Sequence, residues 1–212
     1  MPVEKLNMAP LAGPTRGRPR SAECDDAILT ATWRLLGEVG YVRLSMEGIA
    51  AEAGVGKPTL YLRYAGKADV VAAAFARARM QRAPVPTGDL RADMVAQLEH
   101  IRATMEGVGM ALVGTCLAEE VHVPDLIELL RERSLRPGRQ VLRDILRAGV
   151  DRGELPPDAD IETGILMAVG SYYAQRIAGE EFDEDWGEHV ADATLAMLRG
   201  AWPADVTTGE SG

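Results

Sequence analysis

The sequence predicts an all-α protein of about nine helices, with an N-terminal three-helix helix-turn-helix head and a C-terminal helical domain. Three observations predict it. Apolar residues recur at three- and four-residue spacing from Ile28 almost to the C-terminus. No stretch alternates apolar and polar residues over a strand's length between turn signals. Glycines and prolines stand at the breaks between the periodic stretches, at Gly40, Gly54, Pro84, Pro86, Pro124 and Pro156-Pro157.

Residues 1–20 are rich in Pro, Gly and Arg without apolar period and read as a flexible basic arm. Ile28, Ala31, Leu35, Leu36 and Val39 give a first helix over about 22–39, with Gly40 where a left-handed residue ends it. Ser45 is placed to cap a second helix, with Glu47 near its positive end. A capping box is absent, because Gly48 stands where it needs Glu or Gln. Gly54 allows the positive φ of a sharp turn, and Val55 plugs the corner. Pro58 suits the first turn of a third helix over 57–64, with Leu60 inward. A connecting helix over 67–82 follows, carrying Val70, Val71, Ala74 and Phe75. Further helices are expected over about 88–106, 109–121, 124–150, 160–178 and 184–201, with Pro137-Gly138 kinking or splitting the 124–150 segment. Residues 203–212 read as a disordered polar tail.

Bulk properties narrow the function classes. No apolar run approaches the roughly 20 residues that cross a bilayer, and no N-terminal apolar core precedes a cleavage site, so a cytoplasmic protein with no membrane partner is expected. Cys24 and Cys116 lie too far apart for a metal motif or a disulfide framework. His100, His122 and His189 have no metal spacing, and Glu119-Glu120 with His122 reads as a solvated helix end. No catalytic triad or Gly-rich phosphate loop is present; neither a metal nor a cofactor is expected. The net charge of −9 divides unevenly: residues 1–82 hold 12 Lys+Arg against 8 Asp+Glu, and residues 83–212 hold 11 against 24. The front can approach phosphate, while the acidic remainder opposes the approach of DNA and of strongly anionic ligands.

On the third helix Lys57, Tyr61 and Tyr64 follow i, i+4, i+7 and share a face, flanked by Thr59 and Arg63. A cation, a hydroxyl and two phenols on one surface can bond phosphates and touch base edges or thymine methyls of double-stranded DNA. The plainer reading is a solvated face with its tyrosines folded onto the core. Lys67 opens the next helix, whose free N–H groups suit a phosphate. In the arm, Arg16, Arg18 and Arg20 form Arg-Gly-Arg-Pro-Arg, similar to arms that place arginines in a narrow minor groove; a basic tail adding non-specific affinity fits as well.

Residues 22–67 resemble the DNA-binding domain of the tetracycline-repressor (TetR) family of bacterial transcription regulators. The resemblance is carried by the Ile28–Gly40 helix, the run Leu44 to Ala50, the run Ala53 to Tyr61, and Lys67. Arg152-Gly153-Glu154-Leu155 before the last helix pair is also similar. The resemblance implies roughly nine helices and a homodimer binding a palindromic operator. It also implies an unidentified small-molecule effector that binds among the C-terminal helices and releases the DNA, making the protein a repressor. Residues 21–67 would be the DNA-binding domain and 83–202 the ligand-binding and dimerisation domain. The family's contact positions fall on Ser45, Lys57, Pro58, Thr59, Tyr61, Arg63 and Lys67. Glu47 and Leu62 depart from residues that some relatives place there, which bears on operator sequence.

By the same resemblance, Ile165, Ala168 and Tyr172 on one helix and Trp186, Val190, Ala193 and Met197 on the next would pair across a two-fold axis. The plainer reading packs both stripes inside the monomer. Met94, Leu98, Ile101, Met105, Met110 and Val113, with Tyr172, are candidates for an adaptable apolar pocket, or for ordinary core. An all-helical small-molecule binding protein or enzyme whose helix-turn-helix is only structural is the competing reading; an enzyme would need a polar catalytic cluster, and none is legible. A protein adaptor using the acidic surface would instead retain a protein partner.

Overall fold

The computed structural model describes residues 22–81, 83–122 and 124–200. The basic arm and the tail lie outside them. The described residues form α-helices and no strand. The first four are α1 (Ala22–Arg43), α2 (Met46–Glu52), α3 (Lys57–Arg63) and α4 (Lys67–Met80). Then come α5 (Leu90–Met105), α6 (Val108–Ala118), α7 (Pro124–Leu130), α8 (Arg136–Asp151), α9 (Ile161–Ala178) and α10 (Trp186–Leu198). The nine expected segments all reappear, the seventh in two parts. None of these helices is by itself long and apolar enough to cross a membrane.

The split of that segment lies ahead of Pro137 rather than at it. Between α7 and α8 the chain runs as a π-helical stretch, Arg131–Leu135, where the Arg136 N–H donates to the Arg131 carbonyl. Pro137 cannot donate to the carbonyl four residues back, and its ring crowds that carbonyl. The turn before it widens instead, while Pro137 itself sits comfortably in the first turn of α8.

The head is built on α1, which packs on α4, α2 and α6. Ile28, Leu36, Ile49, Leu60, Val70 and Phe75 are buried together, with Trp33 tilted against Phe75 at 5.8 Å. Burying an aromatic or a leucine here contributes about 2–3 kcal/mol each relative to exposure. In the larger domain α5 is the central helix, burying Leu90, Met94, Leu98, Ile101 and Met105 and packing on α8, α9 and α10. Asp89 caps it by accepting from the Ala92 N–H at 2.8 Å. The buried Asp93 accepts from the Thr87 N–H, the Thr87 hydroxyl and the Gly88 N–H at 2.7, 2.8 and 2.9 Å, which ties the linker after α4 to α5. These bonds hold its carboxyl below the usual range despite burial, which alone would raise it. The helix α4 belongs to both parts: its first turn lies in the head, and its last turn meets α5 and the π-helical stretch.

Candidate nucleic-acid interface and ligand cavity

The helix-turn-helix assembles from local chemistry. Gly40, at φ 72°, breaks α1 and turns the chain toward α2. Ser45 is extended, and its hydroxyl accepts from the Gly48 N–H at 3.1 Å, the expected N-cap. Gly54 takes φ 65°, and the Val55 N–H closes the turn on the Ala50 carbonyl at 3.0 Å. With α3 thus presented, only Leu60 of its seven residues is buried. Lys57 and Pro58 are exposed and Thr59 half-buried, while Tyr61 is 52% and Leu62 77% exposed. A phenol and an isobutyl group so exposed cost solvation unless something covers them.

Lys57 lies 3.2 Å from Glu47 at the start of α2. The Glu47 carboxyl is held below its ordinary value, first by a backbone hydrogen bond and then by Lys57. The two exposed charges link the turn's two helices. A phosphate arriving at Lys57 has to compete with Glu47.

Three residues expected at the interface are engaged elsewhere. Tyr64 does not share the face of Lys57 and Tyr61. It leaves the helix in an extended conformation (φ −130°, ψ 127°), and its side chain is buried, 9% exposed, in the head's core. Burial, with Asp25 nearby, pushes its phenol up to about 12. The i, i+7 spacing fails because the helix stops at Arg63. Arg63 is also turned inward: its guanidinium is 12% exposed and lies 2.6 Å from Asp25 of α1. Lys67 donates to the Tyr41 carbonyl at 3.0 Å, approaches the Val42 carbonyl at 3.5 Å, and lies 4.3 Å above the Tyr41 ring. The break at Gly40 exposes those carbonyls, and the ammonium is the donor that meets them. Ser45 is exposed but spends its hydroxyl on the cap. Arg16, Arg18 and Arg20 lie outside the described residues.

In the larger domain two cavities bear on ligand binding. A cleft of about 510 Å³ opens between α1, α4 and α5, lined among others by Trp33, Arg34, Arg77, His100 and Glu106. Its arginines are occupied: Arg34 pairs with Glu38 and Glu52, and Arg77 with Asp26. A second cavity of about 250 Å³ lies between α4, α5, the π-helical stretch, α8 and α9. Ile101 and Met105, two of the expected pocket residues, line it. Met94, Leu98, Met110, Val113 and Tyr172 line neither cavity. Met94 and Leu98 of α5, Val113 of α6 and Tyr172 of α9 are core, and Met110 of α6 is half-buried against it. Arg79, Gly138 and Tyr173, which line the second cavity, were not singled out by sequence; their only signal was the Pro137-Gly138 pair.

Part of the expected dimer stripe is taken up inside the monomer. Ile165, Ala168, Tyr172 and Trp186 are buried within the monomer, the last two in an aromatic cluster with Phe182. Gly164 lets the Leu198 side chain come close, so α9 and α10 pack on each other through this face. The opposite face of α9 exposes Leu166 at 54%, Met167 at 46% and Ile177 at 77%. Beside it on α10, Ala193 is exposed and Val190 and Met197 are half-buried. Helix α9 is apolar nearly all round, so its period alone does not say which stripe faces inward.

Comparison with known proteins agrees with this architecture. Residues 28–74 match the model for bacterial regulatory proteins of the tetR family, and residues 84–194 match the tetracyclin repressor-like C-terminal domain. An uncharacterised HTH-type transcriptional regulator of Bacillus subtilis, YdeS, is 32% identical over 198 residues, covering 91% of this chain and 96% of the relative. The DNA-binding transcriptional repressor TetR of Mycobacteroides abscessus is 28% identical over 187 residues, covering 87% of this chain and 96% of the relative. Among solved structures, the TetR family transcription regulator SCO0332 superposes with a TM-score of 0.69 at 26% identity, covering 85% of this chain and all of that one. A head of three helices presenting α3, joined by α4 to a helical domain with an internal cavity, is thus a ligand-responsive DNA-binding regulator rather than an enzyme, and the chain belongs to the TetR family of transcriptional regulators.

Proposed function

We propose that the protein is a homodimeric repressor that binds a palindromic operator in the cytoplasm and lets go when a small molecule enters its larger domain. The observation that carries the DNA reading is the outward face of α3. A seven-residue helix that buries one side chain is held up by its neighbours to display the others. We assign base and phosphate contacts to Lys57, Pro58, Thr59 and Tyr61, with Leu62 available to a thymine methyl. Arg63, Tyr64 and Lys67 position that helix from beneath.

Dimerisation falls on the exposed stripe Leu166, Met167 and Ile177 with Val190, Ala193 and Met197 of α10. Two such faces would cover one another in a four-helix arrangement about a two-fold axis. Helix α4 connects the cavity to the head, since Arg79 borders the cavity while Lys67 grips the α1–α2 junction. Asp69, also in its first turn, pairs with Arg133 of the π-helical stretch at 2.5 Å.

The test is fluorescence anisotropy against DNA from upstream of the protein's own gene, with scrambled DNA as control, across a salt series. Preference for the upstream DNA with a steep salt slope supports the reading; equal, weak binding to both sinks it. Light scattering of Ile177→Arg checks the dimer: the variant should run as a monomer where the unmodified chain runs as a dimer.

A further inference from the structure

Arg79 is the one buried cation among the described residues, 8% exposed, and it lines the cavity of about 250 Å³. Its guanidinium forms no ion pair and no side-chain hydrogen bond with any other described residue. Burial lowers its pKa from the ordinary arginine value, yet a guanidinium stays charged at neutral pH. No guanidinium nitrogen is sealed off from the cavity, so the charge is met only there and points to an anion that would complete it. The surroundings agree. Gly138 of α8 leaves room for the guanidinium: a Cβ there would meet the Arg79 Nη2 at 2.1 Å. Arg131, Arg136 and Arg139 also line the cavity, and no Asp or Glu does. Arg131 and Arg136 are already paired with Glu120, Glu128 and Glu132 outside it. The Tyr173 hydroxyl, which donates weakly to the Met105 sulfur at 3.9 Å, becomes a second donor by turning from it to the anion. Burial raises its pKa, so it keeps its proton at neutral pH. The apolar wall is Ile101, Met105, Leu135 and Val169. The net charge of this half of the chain is negative, but the charged side chains that line the cavity are all cationic.

We propose that this cavity is the effector site and that it takes a small amphipathic monocarboxylate, its carboxylate held in the fork of Arg79 and its apolar body against Ile101, Met105, Leu135 and Val169. The proposal rests on the reading of the protein as a ligand-responsive regulator. A guanidinium meets a carboxylate through two parallel N–H···O bonds. One unpaired buried cation balances one negative charge; a phosphate dianion would leave a buried excess. Size sets the rest. A cavity of about 150 Å³ holds benzene, so this volume suits a ring or short chain plus the carboxylate, about ten heavy atoms. Because Arg79 stands in the last turn of α4, neutralising it against α8 acts on the helix that carries the head.

The experiment is isothermal titration of the full-length protein with benzoate, phenylacetate and octanoate, and with the matched neutral amides benzamide, phenylacetamide and octanamide. At least one acid should bind, and its amide should bind at least about thirty-fold more weakly, the loss expected when one side of a buried charged pair is removed. Arg79→Met should abolish the preference for acid over amide. It should also raise the ligand-free Tm above that of the unmodified chain, because it removes an unpaired buried charge; a merely structural arginine would lower it. Gly138→Ala, with the better helix former at that position, should weaken acid binding by displacing the guanidinium. Failure of every acid to bind, equal binding of acid and amide, or acid binding unchanged in both variants overturns the proposal. Operator binding measured on the same preparation separates the two readings. Specific DNA binding with no acid binding refutes this proposal alone. Acid binding without specific DNA binding upholds the carboxylate site and refutes the repressor reading.

Discussion

Replacing Lys67 by Met separates two roles that the same residue could play. The ammonium lies 3.0 Å from the Tyr41 carbonyl, 3.5 Å from that of Val42 and 4.3 Å above the Tyr41 ring. A hydrogen bond from a charged donor contributes about 1.5–3 kcal/mol. The 3.5 Å approach adds little, and a partly exposed cation–π interaction adds about 0.5–1 kcal/mol. Desolvation opposes both, and it lowers the Lys67 pKa. The net is about 2 kcal/mol, since methionine keeps the packing of the stem but leaves two carbonyls without their donor. For a chain of this length that is a fall in Tm of about 4–8 °C. Differential scanning calorimetry measures it, and a salt series of DNA binding measures the alternative. If Lys67 held a phosphate, Lys67→Met would flatten the slope of log K against log salt by about 1.8 in the dimer, about 0.9 for the phosphate lost by each subunit. The structure predicts the Tm loss with an unchanged slope for Lys67→Met, and the reverse for Lys57→Met. An unchanged Tm with a flattened slope for Lys67→Met would show that Lys67 belongs to the DNA surface.

Other predictions follow the same geometry. Glu47→Gln removes the carboxylate 3.2 Å from Lys57 and should tighten binding to any DNA sequence without altering sequence preference, as read by anisotropy with specific and scrambled duplexes. Tyr64, neutral in the folded state up to about 12 against 10.0 ordinarily, contributes stability that is whole below pH 10 and is lost as pH rises through 12, at about 1.4 kcal/mol per unit. Tyr64→Phe should therefore flatten the alkaline limb of a urea-stability profile over that window; an unchanged limb would refute the burial argument. Gly54→Ala meets no atom but forces a Cβ onto φ 65°, so Tm should fall by about 2–4 °C, for a cost of about 1 kcal/mol. A Tm equal to or above that of the unmodified chain would refute the strain.

Local signals were legible in the chain alone, because their causes are local. Ser45 caps the helix it precedes, Gly54 turns, and Pro58 opens α3, each through interactions within about four residues. The helical period and the prolines likewise placed the all-α architecture and the boundaries. The kink expected at Pro137-Gly138 appears as a π-helical stretch just ahead of Pro137.

What only the tertiary structure decided is direction and pairing. Whether Arg63 reaches DNA depends on Asp25, 38 residues earlier; whether Lys67 does depends on carbonyls 25 and 26 residues away. The phase of α9 depends on which of its apolar sides meets α5 and α10, and a helix apolar nearly all round carries no record of that choice. Net charge is coarse for the same reason. A sum over 130 residues says nothing of a cavity where four arginines converge from α4, the π-helical stretch and α8, and where the deepest of them is left without a partner. Periodicity and caps act through the chain's own neighbourhood, whereas electrostatic and packing partners are chosen by the fold that brings distant residues within a few ångströms.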